Sequence, residues 1–303
     1  MSASDTRHIY QSLFANLAIA IAKGVAAFYT GSGAMLAETI HTAADCGNQL
    51  LLLLGVNRSQ RPPDAAHPLG YGRSLYFWSF MVALLLFTGG GVFSIYEGIH
   101  KLQHHEPVEN VWLAVGILAF SLLIEGGATV SNYREMTKRS GGVPLMRYLR
   151  QTKDSDLVVV FGENAAATVG LALAMAAIGM AVYTGDSRWD AGGTIAIGAV
   201  LIGVAVFLAV EVKSLLVGEA ADPVIEHAVR AIVKGEPNVL SCNRVITVQQ
   251  GPGEVLVAMK LHFSAALTAA VVAETINRVE GQLRAQRPEV KWSFIEPGMD
   301  GEA

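Results

Sequence analysis

The chain has 303 residues, 52% of them hydrophobic and 16% charged, with a mean hydropathy of +0.40. That is too apolar for an ordinary soluble enzyme and too polar for membrane spans throughout. A formal net charge of -4 with no basic run longer than two residues excludes a nucleic-acid footprint, and two distant cysteines, Cys46 and Cys242, exclude a disulfide framework or a paired-cysteine metal site.

The opening "MSASDTRHIYQS" has one Arg and no small-residue cleavage site after a short apolar core, so the first apolar run is expected to stay as a membrane helix. Six stretches qualify as membrane spans: residues 13–30, 34–56, 75–99, 111–130, 157–183 and 192–217. An even number places both ends on one side. The loop after the second stretch carries Arg58, Arg61 and Arg73, and the loop after the fourth carries Lys138, Arg139, Arg147, Arg150 and Lys153. The opposite loops, "KLQHHEPVEN" and "GDSRWD", hold one Lys or Arg each, so both termini are expected in the cytoplasm of a cell or inner membrane. The "HKLQHHE" stretch could attract metal at the exit, though short His-rich loops are often only polar.

Beyond residue 217 the pattern becomes that of a soluble unit. "DPVIEHAVRAIVKG" has Asp222 as N-cap, Pro223 at the first helical position and Gly235 at the end. "VLSCNRVITVQQ" and "EVLVAMKLHF" alternate like strands around "GPG"; "LTAAVVAETINRVEGQLRAQ" reads as a helix and "EVKWSFIE" as a last strand. The expected architecture is an all-α six-helix transmembrane bundle over residues 1–217, then a cytoplasmic α+β dimerisation domain over residues 218–303 in αββαβ order.

The second stretch carries the chemistry. At 100° per residue, Glu38, His41, Asp45, Asn48 and Gln49 share one helix face. Polar groups in hydrocarbon are costly and normally face a bundle interior or a water-filled cavity. The i, i+4 pair His41 and Asp45 offers one nitrogen and one carboxylate, a mixture that suits zinc or a neighbouring transition metal better than calcium or magnesium. A His–Asp hydrogen bond that only locks helices is the plainer alternative. Cys46 points away and reads as a packing residue. Lys23 in the first stretch and Glu125 in the fourth, with Glu38, read as a structural pair or a proton path, unless Lys23 snorkels outward.

"SGAMLAETIHTAADCGN" at residues 32–48 resembles the second-span signature of the cation diffusion facilitators, and "HPLGYGR" at 67–73 and the αββαβ tail extend the likeness. The resemblance implies a homodimeric antiporter that moves zinc or a similar divalent cation out of the cytosol in exchange for protons. It also implies ligands from spans two and five and a metallochaperone-like tail. Partners are then the metal, protons, lipid and a second copy; no resident cofactor or enzyme activity is implied.

This sequence departs from that pattern in span five. The positions where many members carry ligands fall on Val160 and Asn164, with Glu163 the acid deep in the helix. The expected ligands are therefore His41, Asp45 and Glu163, with Asn164 as a weaker carbonyl ligand or a packing amide. Asp64 and His67 match a second site in some members, but Tyr71 stands at its usual third position, so a loop cap is the alternative. Positions of a zinc cluster in the tail read Asn243, Met259, Phe294 and Glu296; with only His227 and His262 nearby, no binuclear cluster is expected. Manganese, iron or cobalt are alternatives to zinc, and a non-transporting subunit or metal-responsive regulator with a decayed site is the rival function.

Overall fold

A computed structural model of the protein describes residues 3–104, 110–153 and 155–299. Residues 105–109, including His105 and Glu106 of "HKLQHHE", lie outside the described residues. The apolar runs form helices because a helix satisfies its backbone polar groups internally, as hydrocarbon demands. They are α1 (Ala3–Thr30), α2 (Gly33–Ser59), α3 (Ser74–Leu85), α4 (Phe93–His104), α5 (Val111–Arg139), the short α6 (Leu145–Gln151), α7 (Ser155–Thr184) and α8 (Arg188–Val217).

Among the described residues, four helices are long and apolar enough to cross a membrane: Ser74–His104, Val111–Arg139, Leu157–Thr184 and Arg188–Val217. The second expected span falls short of that measure, because α2 is long enough but diluted by its polar face, and in α1 the apolar stretch among the described residues is Asn16–Thr30. The third expected span is not a plain α-helix. Leu86–Val92 joins α3 to α4 as a π-helical segment around three successive glycines, whose missing Cβ leaves the backbone less bound to α winding.

The chain divides into two compact units. The first comprises Met1–Gly55, Phe77–Arg150 and Asp156–Val212. Its buried faces are rich in small residues such as Ala26, Ala34, Ala37, Ala166 and Ala174, which let helices approach closely. Phe28, Phe120, Leu123 and Val210 are exposed on helix surfaces, as expected of a lipid-facing exterior.

The second unit comprises Val56–Tyr76, Gln151–Ser155 and Lys213–Ala303. Its C-terminal part runs α9 (Pro223–Lys234), β1 (Val239–Gly251), β2 (Glu254–Phe263), α10 (Ala269–Gln286) and β3 (Val290–Gly298). Asp222 caps α9 by accepting from the Val224 amide, with Pro223 opening the helix. β1 and β2 pair antiparallel, and β3 lies parallel to β2 after the α10 crossover, giving the order β1-β2-β3. Strict alternation in β2 buries Val255, Val257, Met259, Leu261 and Phe263. These meet Ile225, Val229, Ile232 and Val233 of α9 and Val279 and Leu283 of α10 in one core.

The "HPLGYGR" stretch joins this unit for a steric reason. Gly72 lies against the β1–β2 hairpin, where a methyl group would meet the Glu254 carboxylate, the Gln250 carbonyl at 2.8 Å and the Gly251 Cα at 3.0 Å. A glycine on each side makes that approach possible.

Candidate functional site

The start of α2 is fixed from neighbouring helices. Asp190 of α8 accepts from the Ser32 hydroxyl at 2.6 Å and the Gly33 amide at 2.8 Å, and the Ser32 oxygen accepts from the Met35 amide. A carboxylate at a helix N-terminus meets free N–H groups and the positive dipole end. Lys101 of α4, which charge counting places in an outer loop, is buried with its Nζ 3.7 Å from Asp190.

From that anchor the polar face of α2 runs inward. His41 is fully buried, neither ring nitrogen makes a hydrogen bond, and Nδ1 lies 3.7 Å from Asp45 Oδ1. That distance is too long for the locking hydrogen bond considered as the alternative. Asp45 Oδ1, Asn48 Oδ1 and Glu38 Oε1 are also buried without hydrogen-bond partners. Each such orphan costs about 1–3 kcal/mol, so a column of them on one face is the mark of a site that takes a ligand. An imidazole nitrogen beside carboxylate and amide oxygens is a donor set for a divalent transition metal.

Span five contributes Glu163. The buried face of α7 runs through Val159, Glu163, Ala166 and Gly170, whereas Val160 is exposed. Glu163 thus faces inward without having to swing around the helix. Its Oε1 accepts from Asn48 Nδ2 at 2.5 Å, and it lies within Coulombic range of Asp45. Asn164 is half-buried, and its backbone carbonyl accepts from the Thr129 and Thr168 hydroxyls. Among the described residues no three His, Cys, Asp or Glu side chains converge closely enough to hold a metal together. The structure brings Glu163 to Asn48 and within Coulombic range of Asp45, which in turn lies beside His41.

Lys23 does not snorkel. It is fully buried, with Nζ 2.8 Å from Thr42 Oγ1, 3.0 Å from Glu125 Oε1 and 3.3 Å from Glu38 Oε2. The two partners named from sequence both reach it, and Thr42 is an addition.

In the second unit, Asp64 Oδ1 accepts from the Ala66 and His67 amides and Oδ2 from the Tyr71 hydroxyl at 2.7 Å. The Tyr71 bond, then the His67 amide, hold this carboxyl below its usual range, and the same bond raises the Tyr71 phenol. The His67 ring lies against Tyr71, with centroids 4.1 Å apart. His227 Nδ1 bonds the Pro223 carbonyl. Met259 faces the core, while Phe294 is exposed on the other side of the sheet.

Sequence reasoning missed the Asn48–Glu163 bond and the Lys101–Asp190 pair. The signal for the first was present, since Asn48 lies two turns beyond His41 on the same face. The second was hidden because both residues sit at helix ends that read as loop.

Residues 9–217 match the family described as cation efflux transmembrane domain. The chain belongs to the cation diffusion facilitator family. Family members are transporters rather than enzymes, and with its four long apolar helices this one is an integral membrane protein. The chain is 32% identical over 237 residues to a mitochondrial proton-coupled zinc antiporter of Xenopus laevis, covering 78% of this chain and 42% of that one. It is 32% identical over 218 residues to metal tolerance protein C4 of Arabidopsis thaliana, covering 71% of this chain and 48% of that one. It is 26% identical over 278 residues to the cation-efflux pump FieF of Pectobacterium atrosepticum, covering 90% of this chain and 85% of that one. The chain therefore spans less than half the length of the first two relatives.

Proposed function

We propose that the protein exports a divalent transition metal, zinc first, from the cytosol in exchange for protons. The observation that carries this reading is the column of buried, unpartnered polar atoms at His41, Asp45 and Asn48, opposite Glu163. On this reading α1 and α2 cross the membrane with the four more apolar helices, both termini face the cytosol, and the protein works as a homodimer in a cell or inner membrane. The kinship with a zinc antiporter and an efflux pump supports zinc and proton exchange.

His41 and Asp45 receive the metal, and Glu163, oriented by the hydrogen bond it accepts from the Asn48 amide, joins them as the third ligand. Asn164 is the next oxygen available on α7. A divalent ion in a low-dielectric site needs carboxylates to balance its charge. Imidazole exchanges protons near neutral pH, so His41 is the group through which a proton drives release. Rocking of the helix bundle exposes the site to one side and then the other.

The test is metal uptake into proteoliposomes of the purified protein, over a panel of zinc, manganese, iron and cobalt. Asp45→Ala abolishes flux while the protein still inserts, His41→Ala flattens its pH dependence, and Asn48→Leu weakens binding about 10- to 100-fold by freeing the Glu163 carboxylate from its positioning partner. Near wild-type flux in Asp45→Ala removes that residue from the site. Absence of wild-type flux for every metal favours the non-transporting subunit, a rival motivated by the lack of a converged ligand trio among the described residues.

A further inference from the structure

The Lys23 ammonium is held as a cation is held. Its three N–H donors meet three oxygens, from Thr42, Glu125 and Glu38, on two neighbouring helices, and the nitrogen is fully buried. The oxygen set exceeds what one ammonium uses. Glu38 Oε1 and Glu125 Oε2 are both buried without hydrogen-bond partners, and one positive charge faces two carboxylates. The far side is closed by α7, where a side chain at Gly170 would collide with Glu38 Oε1.

An enclosure of carboxylate and hydroxyl oxygens with no nitrogen or sulfur is the donor set of a hard cation such as magnesium, calcium or manganese. It lies one turn before His41 on the same face of α2, so a metal entering the column would meet both. We propose that Lys23 is a specificity-determining residue: by filling the oxygen pocket of Glu38, Thr42 and Glu125 with its own ammonium, it denies hard divalent cations a place beside the mixed nitrogen and oxygen site. This rests on reading the α2 face as a metal path. A lysine that serves only as a brace between α1, α2 and α5 predicts loss of stability on removal, but no cation that restores it.

The experiment measures the melting temperature of full-length Lys23→Ala in detergent with magnesium, calcium or manganese chloride, against wild type and against Lys23→Ala combined with Glu38→Gln. The expected result is stabilisation of Lys23→Ala by several degrees with at least one of these ions, none in wild type, and a lost or much reduced effect in the double variant. In proteoliposomes the same ion inhibits zinc uptake by Lys23→Ala about tenfold more strongly than uptake by wild type, the change expected of a newly opened competing site. A Lys23→Ala protein that melts alike with and without every ion overturns the proposal. So does one that fails to accumulate whichever ion is supplied, because a competent pocket would be rescued by its cation. Zinc-induced stabilisation of wild type reads the transport site separately, so failure of one reading leaves the other visible.

Discussion

Both carboxylate oxygens of Asp64 are spent inside their own loop, one on two backbone amides and one on the Tyr71 hydroxyl. The Tyr71 bond is the largest cause of the low pKa of this carboxyl. Because the folded value is depressed, the contact supports the loop above the carboxyl's unfolded pKa and is lost as pH falls through the lower folded one. Tyr71→Phe should raise the Asp64 titration midpoint, followed by carboxyl NMR, toward the ordinary value of roughly 3.9. An unchanged midpoint would mean that the hydroxyl contact does not form in solution. At this scale the sequence was legible where chemistry is local: His41 and Asp45 sit one turn apart on any helix. It was less legible for Glu163, because its neighbours follow from the rotation of α7 about its axis. Counting from a motif pointed to Val160 and Asn164, while packing turned Val159 and Glu163 inward.

The β1–β2 hairpin and the 67–73 stretch are far apart in sequence, yet their backbones nearly touch at Gly72 and Gly251. Overpacking such a contact costs about 1–3 kcal/mol, since the nearest atoms include a carbonyl and a Cα that cannot rotate aside. Gly72→Ala should therefore lower the melting temperature of the second unit and speed hydrogen exchange in both segments. Acceleration confined to residues 67–73 would show that the hairpin does not depend on the contact. Strand alternation and the Asp222–Pro223 helix start were readable because each is set by a few adjacent residues. The π-helical turn at Leu86–Val92 and the short α6 were not, because glycine weakens the preference for any one winding and a seven-residue helix carries little periodic signal.

Across the whole molecule, hydropathy announced a membrane protein but divided its helices unevenly. The helix with the candidate ligands falls short as a span because the chemistry that makes it functional also makes it polar. The C-terminal segment contrasts with it: the core of α9, the sheet and α10 is built wholly from residues between Ala221 and Ile295. The positions that could have supplied a zinc cluster are turned apart. Met259 packs in that core, Phe294 projects from the opposite face, and Glu296 pairs with Lys260 at 3.6 Å. A segment with a continuous apolar core and dispersed ligands takes its folding energy from burial rather than from metal. A fragment from Lys213 onward should accordingly melt cooperatively in the presence of a chelator, with zinc moving its midpoint by no more than about a degree, the small response expected of weak binding. Calorimetry with and without zinc checks this. A large stabilisation reversed by chelator would place His227 or His262 in a metal site and make the tail a metal sensor rather than a self-sufficient platform.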